Sequence, residues 1–214
     1  MRFNLSSTAL SSRLLTLSRV INSKNSLPIL DCFLFEIHNR QLTITASDSE
    51  NVMRGTLNLE DCEGEGDFAV NNHTILDAVK ELPEQPLALA VNMEEMKIYV
   101  TYQNGSYNFP IMSAEEYPRV QPMSESATTV TIGAAKLSDS LTRSLFATAQ
   151  DELRPVMNGV YFDLKEDGLA VVASDGHKLV RNKIFTVKSE TPASFVLPKK
   201  PATLLKNVLS KDGG

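Results

Sequence analysis

Two stretches of this 214-residue chain match one another at a single offset of 127 positions. Pro28-Ile29-Leu30 lies on Pro155-Val156-Met157, Phe35-Glu36 on Phe162-Asp163, and Leu42-Thr43-Ile44-Thr45-Ala46-Ser47-Asp48 on Leu169-Ala170-Val171-Val172-Ala173-Ser174-Asp175. Arg54 lies on Arg181, and Phe68-Ala69-Val70 on Phe195-Val196-Leu197. An offset that holds across strands, helices and loops means that one structural unit is used twice. Units repeated in this way build an extended surface or a ring. The length suits two domains of ordinary size.

Hydrophobic residues make up 42% of the chain, which is the range of a globular protein and too high for disorder. No apolar run is long enough to span a bilayer. Met1 to Leu5 opens as an alternating strand rather than a signal peptide, so the expected location is the cytoplasm. Cys32 and Cys62 form no ligand motif, and Cys32, inside an apolar run, reads as a buried thiol. The net charge of −5 disfavours long-range attraction to nucleic acid, yet binding depends on where the charges lie.

The hydrophobic spacing predicts a strand over Arg2–Leu5 and a helix, capped by Ser6 or Ser7, with Leu10, Leu14, Leu17 and Ile21 on one face. Strands follow at Ile29–Ile37, Gln41–Ala46 and Val52–Leu59, then an acidic loop at Glu60–Gly66. The order then restarts: a strand at Phe68–Val70, a helix capped by Asn71 or Asn72 with Ile75, Leu76, Val79 and Leu82 on one face, and strands at Leu87–Val91, Lys97–Tyr102 and Ser106–Ile111. Residues 1–112 thus form a first domain that itself holds two strand-helix-three-strand units. Residues 113–128, rich in Ser, Pro and Glu, read as a linker. From Thr129 the program repeats: a strand at Val130–Ile132, a helix with Leu137, Leu141 and Leu145, strands at Val156–Leu164, Leu169–Ala173, Leu179–Val187 and Phe195–Leu197, and a helix over Pro201–Leu209. The second domain, residues 129–214, reaches only the position where the last three strands of the first begin, so the expectation is a chain that is part of a longer protein. The fold class is α+β, with helices on one face of antiparallel sheets.

Enzyme signatures are lacking: there is no Gly-rich phosphate loop, HExxH, CxxC or GxSxG. Three histidines and two cysteines supply no metal site, and no cofactor is expected. The one candidate is Ser174-Asp175-Gly176-His177-Lys178-Leu179, open to three readings: a tight turn, a binding rim, or an acid–base pair of Asp175 and His177. The first copy, Ser47-Asp48-Ser49-Glu50, keeps Ser-Asp and lacks Gly-His, which favours Ser-Asp as the turn device of the repeat. Arg13, Lys24, Lys80, Arg143, Lys199, Lys200 and Lys206 fall on or beside the four predicted helices. A solvated helix face accounts for any one of them; together they suggest one cationic surface.

Leu27-Pro28-Ile29-Leu30, Thr45-Ala46-Ser47-Asp48, Glu116-Tyr117-Pro118, Met157-Asn158-Gly159, Ala173 to Leu179 and Val196-Leu197-Pro198-Lys199-Lys200 resemble the bacterial DNA polymerase III beta subunit family, the sliding clamps. The resemblance covers the whole chain in order. It implies a DNA-clamp fold of repeated βαβββ units, three domains per chain of which the third is missing here, and two chains closing head to tail around duplex DNA. It implies an accessory subunit of the polymerase holoenzyme rather than an enzyme. Lys24, Lys80, Arg143, Lys199, Lys200 and Lys206 are the implied DNA-contacting residues, with Lys24 in place of a family arginine and Pro155 where some relatives carry a DNA-touching aromatic. Met157, Ser174, Gly176, His177, Lys178 and Leu179 are the implied part of a groove that takes short hydrophobic peptides of the replicative polymerase and the clamp loader. Thr74, Ile75 and Tyr107 are the implied subunit interface of the homodimer.

Overall fold

The computed structural model describes residues 1–120, 124, 127–151 and 153–209. The chain divides into two compact units, Met1–Gln121 and Pro122–Gly214.

The first unit runs β1 (Arg2–Ser6), α1 (Ser7–Leu17), β2 (Cys32–His38), β3 (Gln41–Ser47), β4 (Val52–Asn58), β5 (Cys62–Glu63), β6 (Gly66–Asn71), α2 (Asn72–Val79), β7 (Pro86–Asn92), β8 (Lys97–Tyr102) and β9 (Gly105–Met112). Its sheet order is β4-β3-β2-β6-β9-β8-β7-β1-β5, antiparallel wherever neighbours pair. The order shows an exchange. β1 opens the first half yet pairs along its length with β7 of the second, Arg2 opposite Ala90 through Ser6 opposite Pro86. β6 opens the second half and pairs with β2 of the first, Cys32 opposite Asn71 through Ile37 opposite Gly66. Neither half closes its own ladder.

Helix α1 starts where Ser6 takes an extended conformation and its hydroxyl accepts from Ala9 N at 3.0 Å. Asn71 caps α2 in the same way, accepting from Thr74 N at 3.2 Å. Leu10, Leu14 and Leu17 recur at helical spacing and are buried, as are Ile75, Leu76 and Val79 of α2. The two helices pack side by side over the sheet. A second, smaller core gathers Ile29, Leu30, Cys32, Leu34, Ala69, Ala114 and Tyr117. Tyr117 is buried and donates towards the carbonyls of Cys32 at 3.4 Å and Thr45 at 3.3 Å, while Arg119 pairs with Glu36 and, at 2.7 Å, with Asp67. Residues 113–120 are therefore packed and bonded against the first unit.

The second unit holds α3 (Ala134–Leu145), β10 (Gly159–Lys165), β11 (Gly168–Ser174), β12 (Leu179–Ile184), β13 (Ala193–Pro198) and α4 (Lys199–Leu209), in the sheet order β12-β11-β10-β13. Adding 127 to the bounds of β2, β3 and β6 gives those of β10, β11 and β13 without a residue of error. The registers transfer too: Leu34 opposite Thr45 becomes Tyr161 opposite Val172, and Ser47 opposite Val52 becomes Ser174 opposite Leu179. Leu141, Val160, Phe162, Leu164, Leu169, Val171, Val187 and Ala202 form its core beneath α3 and α4, which also lie side by side.

Four expectations are corrected. Val130–Ile132 is not a strand. Its counterpart β1 is held by β7, and the residues matching β7 would begin at 213, outside the described residues, so no ladder partner is present. The strand placed at Ile29–Ile37 begins only at Cys32, because Pro28 sets φ for a 3₁₀ turn over Pro28–Asp31. The strand placed at Val156–Leu164 begins at Gly159: Met157 N and Asn158 N both bond back to Arg154 O and close a turn. The strand placed at Leu179–Val187 ends at Ile184. The linker residues 121–123, 125 and 126 lie outside the described residues.

Truncating the fully buried Leu14 to Ala removes a large side chain from beneath α1. The expected cost is about 2–5 kcal/mol, seen in urea unfolding as a lower midpoint for the transition of the first unit.

Candidate partner-docking turn and helical cation surface

The turn between β11 and β12 is built by its own polar side chains. Ser174 Oγ accepts from Gly176 N at 3.1 Å and donates to Lys178 O at 2.9 Å. Asp175 Oδ1 accepts from His177 N and Lys178 N, both at 2.9 Å, and Oδ2 meets the Lys178 ammonium at 3.0 Å. The first unit repeats the device: Ser47 Oγ accepts from Ser49 N at 3.1 Å, and Asp48 Oδ1 from Glu50 N at 3.0 Å and Asn51 N at 2.7 Å. Even the left-handed residue recurs, Ser49 at φ 82° and Gly176 at φ 90°. Ser-Asp is thus the turn device of both copies.

Gly176 differs from Ser49 in what lies above it. A Cβ there would sit 3.3 Å from Arg154 Nη1 and 4.0 Å from Met157 Sδ. Arg154 donates to Asp175 O at 3.3 Å and to Asp151 Oδ2 at 3.2 Å, and so ties the turn to the segment before β10. Lys178 lies with its ammonium 5.9 Å from the centroid of the Phe146 ring. Of the six residues expected in the groove, Ser174, Gly176, His177, Lys178 and Leu179 share this turn, and Met157 is brought beside it. Leu179 and Phe146 are large apolar side chains left 67% and 61% exposed, and Val156 is 77% exposed. Such side chains clustered beside one turn mark a contact surface. Sequence reasoning missed Arg154 and Phe146; the spacing Asp151-x-x-Arg154, an i,i+3 ion pair, was the available signal.

The acid–base reading of Asp175 and His177 does not survive this geometry. Asp175 touches His177 through the backbone N–H, not the imidazole. The N–H groups of Lys178 and His177, with the Lys178 ammonium, hold the Asp175 carboxyl well below the usual carboxylate range, which makes it a poor base. Among the described residues no cluster of His, Cys, Asp or Glu could hold a metal ion.

Charge divides by element type. The four helices hold Arg13, Lys136, Arg143, Lys199, Lys200 and Lys206 against Asp77 and Asp139, a net of +4 in a chain whose total is −5. The rest of the chain therefore carries −9. Lys24 lies exposed on the loop after α1, and Lys80 caps the end of α2. Lys80 meets Asp77 at 2.7 Å and Arg143 meets Asp139 at 2.9 Å, exposed pairs that hold their cations weakly. Lys199 donates to Gln150 Oε1 at 2.7 Å. Of the expected interface residues, Tyr107 is exposed on β9 and the Thr74 hydroxyl bonds to Asn71. Ile75 is fully buried in the first core, so it supports this face from beneath and cannot touch a neighbour.

Repeated βαβββ units with paired helices over antiparallel sheets define the clamp class of folds. Residues 1–121 match the family description of the DNA polymerase III beta subunit N-terminal domain, and residues 131–214 that of its central domain, so the chain belongs to this family. It is 26% identical to the beta sliding clamp of Pseudomonas aeruginosa, covering 100% of this chain and 58% of that protein. It is 27% identical to that of Halalkalibacterium halodurans, covering 91% and 53%. The crystal structure of the Pseudomonas aeruginosa subunit superposes with a TM-score of 0.92, and that of Thermotoga maritima with 0.86 at 27% identity, covering 100% of this chain and 57% of that one. A further Pseudomonas aeruginosa clamp structure has griselimycin bound. The chain thus spans a little over half the length of the relatives it matches.

Because the Asp175 pKa is depressed in the folded state, the unfolded chain takes up this proton first as pH falls. The stabilisation is complete above the ordinary Asp value and is lost as pH drops through about 4. Asp175→Asn is expected to destabilise the second unit near neutral pH, with the gap from the parent narrowing in acid. Thermal unfolding across pH measures it, and a pH-independent gap would contradict this account.

Proposed function

We propose that this chain supplies the first and central domains of a ring-shaped sliding clamp, a non-catalytic processivity factor. The ring encircles duplex DNA and tethers the replicative polymerase in the cytoplasm. The observation that carries the reading is the charge division, +4 on the helices against −9 elsewhere. A sliding protein must hold DNA without reading it. Phosphate contacts from scattered cations are blind to sequence and exchange cheaply as the duplex moves. Lys24, Lys80, Arg143, Lys199, Lys200 and Lys206 take this role. Ring closure retains the DNA topologically, so strong attraction is unnecessary and acidic sheets do no harm.

Docking of the polymerase and the clamp loader falls to the second-unit turn. Met157 and Leu179 offer apolar wall, Met being adaptable to different ligands. Gly176 lets a peptide backbone approach, and His177 and Lys178 frame the rim. Closure of two chains into a ring uses the β9 edge at Tyr107.

The test is the salt dependence of DNA association. Fluorescence anisotropy on a long duplex is expected to show binding that weakens linearly on logarithmic axes. Replacing Arg143, Lys199 and Lys206 by Glu weakens it and lowers the slope by about one per cation removed. An unchanged slope would remove the helices from the DNA-facing surface. A polypeptide carrying a third such unit should stay on circular DNA and run off linear DNA; equal loss from both would defeat the clamp reading.

A further inference from the structure

The β8–β9 hairpin leaves part of its outer edge open. Its two-residue turn, Gln103-Asn104, is closed by the pair Tyr102 and Gly105. Such a closing pair exchanges both hydrogen bonds, and the pattern alternates from there. Gly105, Tyr107 and Phe109 therefore aim their N–H and C=O groups at β8. Ile111 continues the series, donating to Met96 O at 2.9 Å. The even-numbered residues face outward. Met112 pairs with Ala69 of β6, and Pro110 has no N–H to offer. That leaves Ser106 and Asn108 with outward donors and acceptors and no strand beside them.

β9 carries no charged side chain, whereas the edge strand β4 carries Arg54 and β12 carries Arg181 and Lys183. Charges on an edge strand discourage pairing with another chain, and β9 lacks that protection. The geometry points to a second copy of this chain as the occupant of the β9 edge. Two edges pair antiparallel about a two-fold axis through Tyr107, with Ser106 opposite Asn108 of the partner subunit. This register satisfies each open donor and acceptor reciprocally, as an isologous contact requires. No like charges meet across the axis. The stop matches as well: Pro110 falls opposite Asn104 of the partner subunit, in a turn where the ladder has already ended. Tyr107, 37% exposed, stacks on Tyr102 at 5.2 Å and on Phe109 at 6.0 Å. It meets its own copy at a non-hydrogen-bonded position, where cross-strand side chains come closest.

This goes beyond the clamp reading and competes with ring closure, since an edge paired with its own copy cannot close a ring. Sedimentation of the 214-residue chain from micromolar to millimolar concentration is expected to show the mass rising from 23.6 kDa towards twice that value. Amide exchange at Ser106 and Asn108 should slow as concentration rises. Tyr107→Lys, which sets two like charges on the axis, and Asn108→Pro, which removes an outward donor, should each restore the monomer. Val52→Lys on β4 should leave the dimer intact. A monomer throughout, or a dimer that survives both β9 substitutions or is lost with Val52→Lys, overturns the proposal. None of these outcomes bears on the salt slope of DNA association.

Discussion

The structure depends on an exchange of strands. β1 leaves its own half of the first unit to pair with β7, and β6 crosses the other way to pair with β2. Each half therefore lacks the strand that would complete its sheet until the other supplies it. The exchange also fixes the helices. α1 follows directly on β1 and α2 on β6, so the two crossed strands deliver both helices to neighbouring places over the sheet. Leu10, Leu14 and Leu17 then bury in the same core as Ile75, Leu76 and Val79, which joins the halves through apolar contact as well as hydrogen bonds.

This layering gives the charge division its meaning. Apolar faces of helices and sheets meet in the core, and the opposite face of each helix is left to solvent. Cations placed on helices and carboxylates on strands and loops then become two surfaces of opposite sign without altering the fold. In the proposed clamp the first surface meets phosphates and the second faces outward. The second copy of the unit adds one thing the first lacks: beside an identical Ser-Asp turn it places Arg154, Met157, Phe146 and Leu179. A shared scaffold thus carries a docking surface on one copy alone.

Much of this was legible in the sequence because the repeat offset is a property of packing, not of composition. Positions that share a core keep their spacing, and so Gly159–Lys165, Gly168–Ser174 and Ala193–Pro198 fall where 127 places them. The errors lie where local patterning meets a non-local requirement. Val130–Ile132 alternates like a strand, but a strand exists only with a partner, and its partner lies outside the described residues. Ile29–Leu30 is apolar enough for a strand, but Pro28 turns it into a 3₁₀ cap over the smaller core. In the site, the turn residues Ser174 to Leu179 were readable as a cluster in sequence. Phe146, at the end of α3, and Arg154 reach that turn only through tertiary structure.

Cutting the first unit in the exposed loop at Gly64-Glu65 tests the exchange most directly. It separates β1 to β5 from β6 to β9. The expected result is that residues 1–64 and 65–121 are each unfolded alone and regain the native circular dichroism spectrum and a cooperative unfolding transition when mixed. Either fragment folding cooperatively by itself would contradict the account, because that half would then close its own sheet.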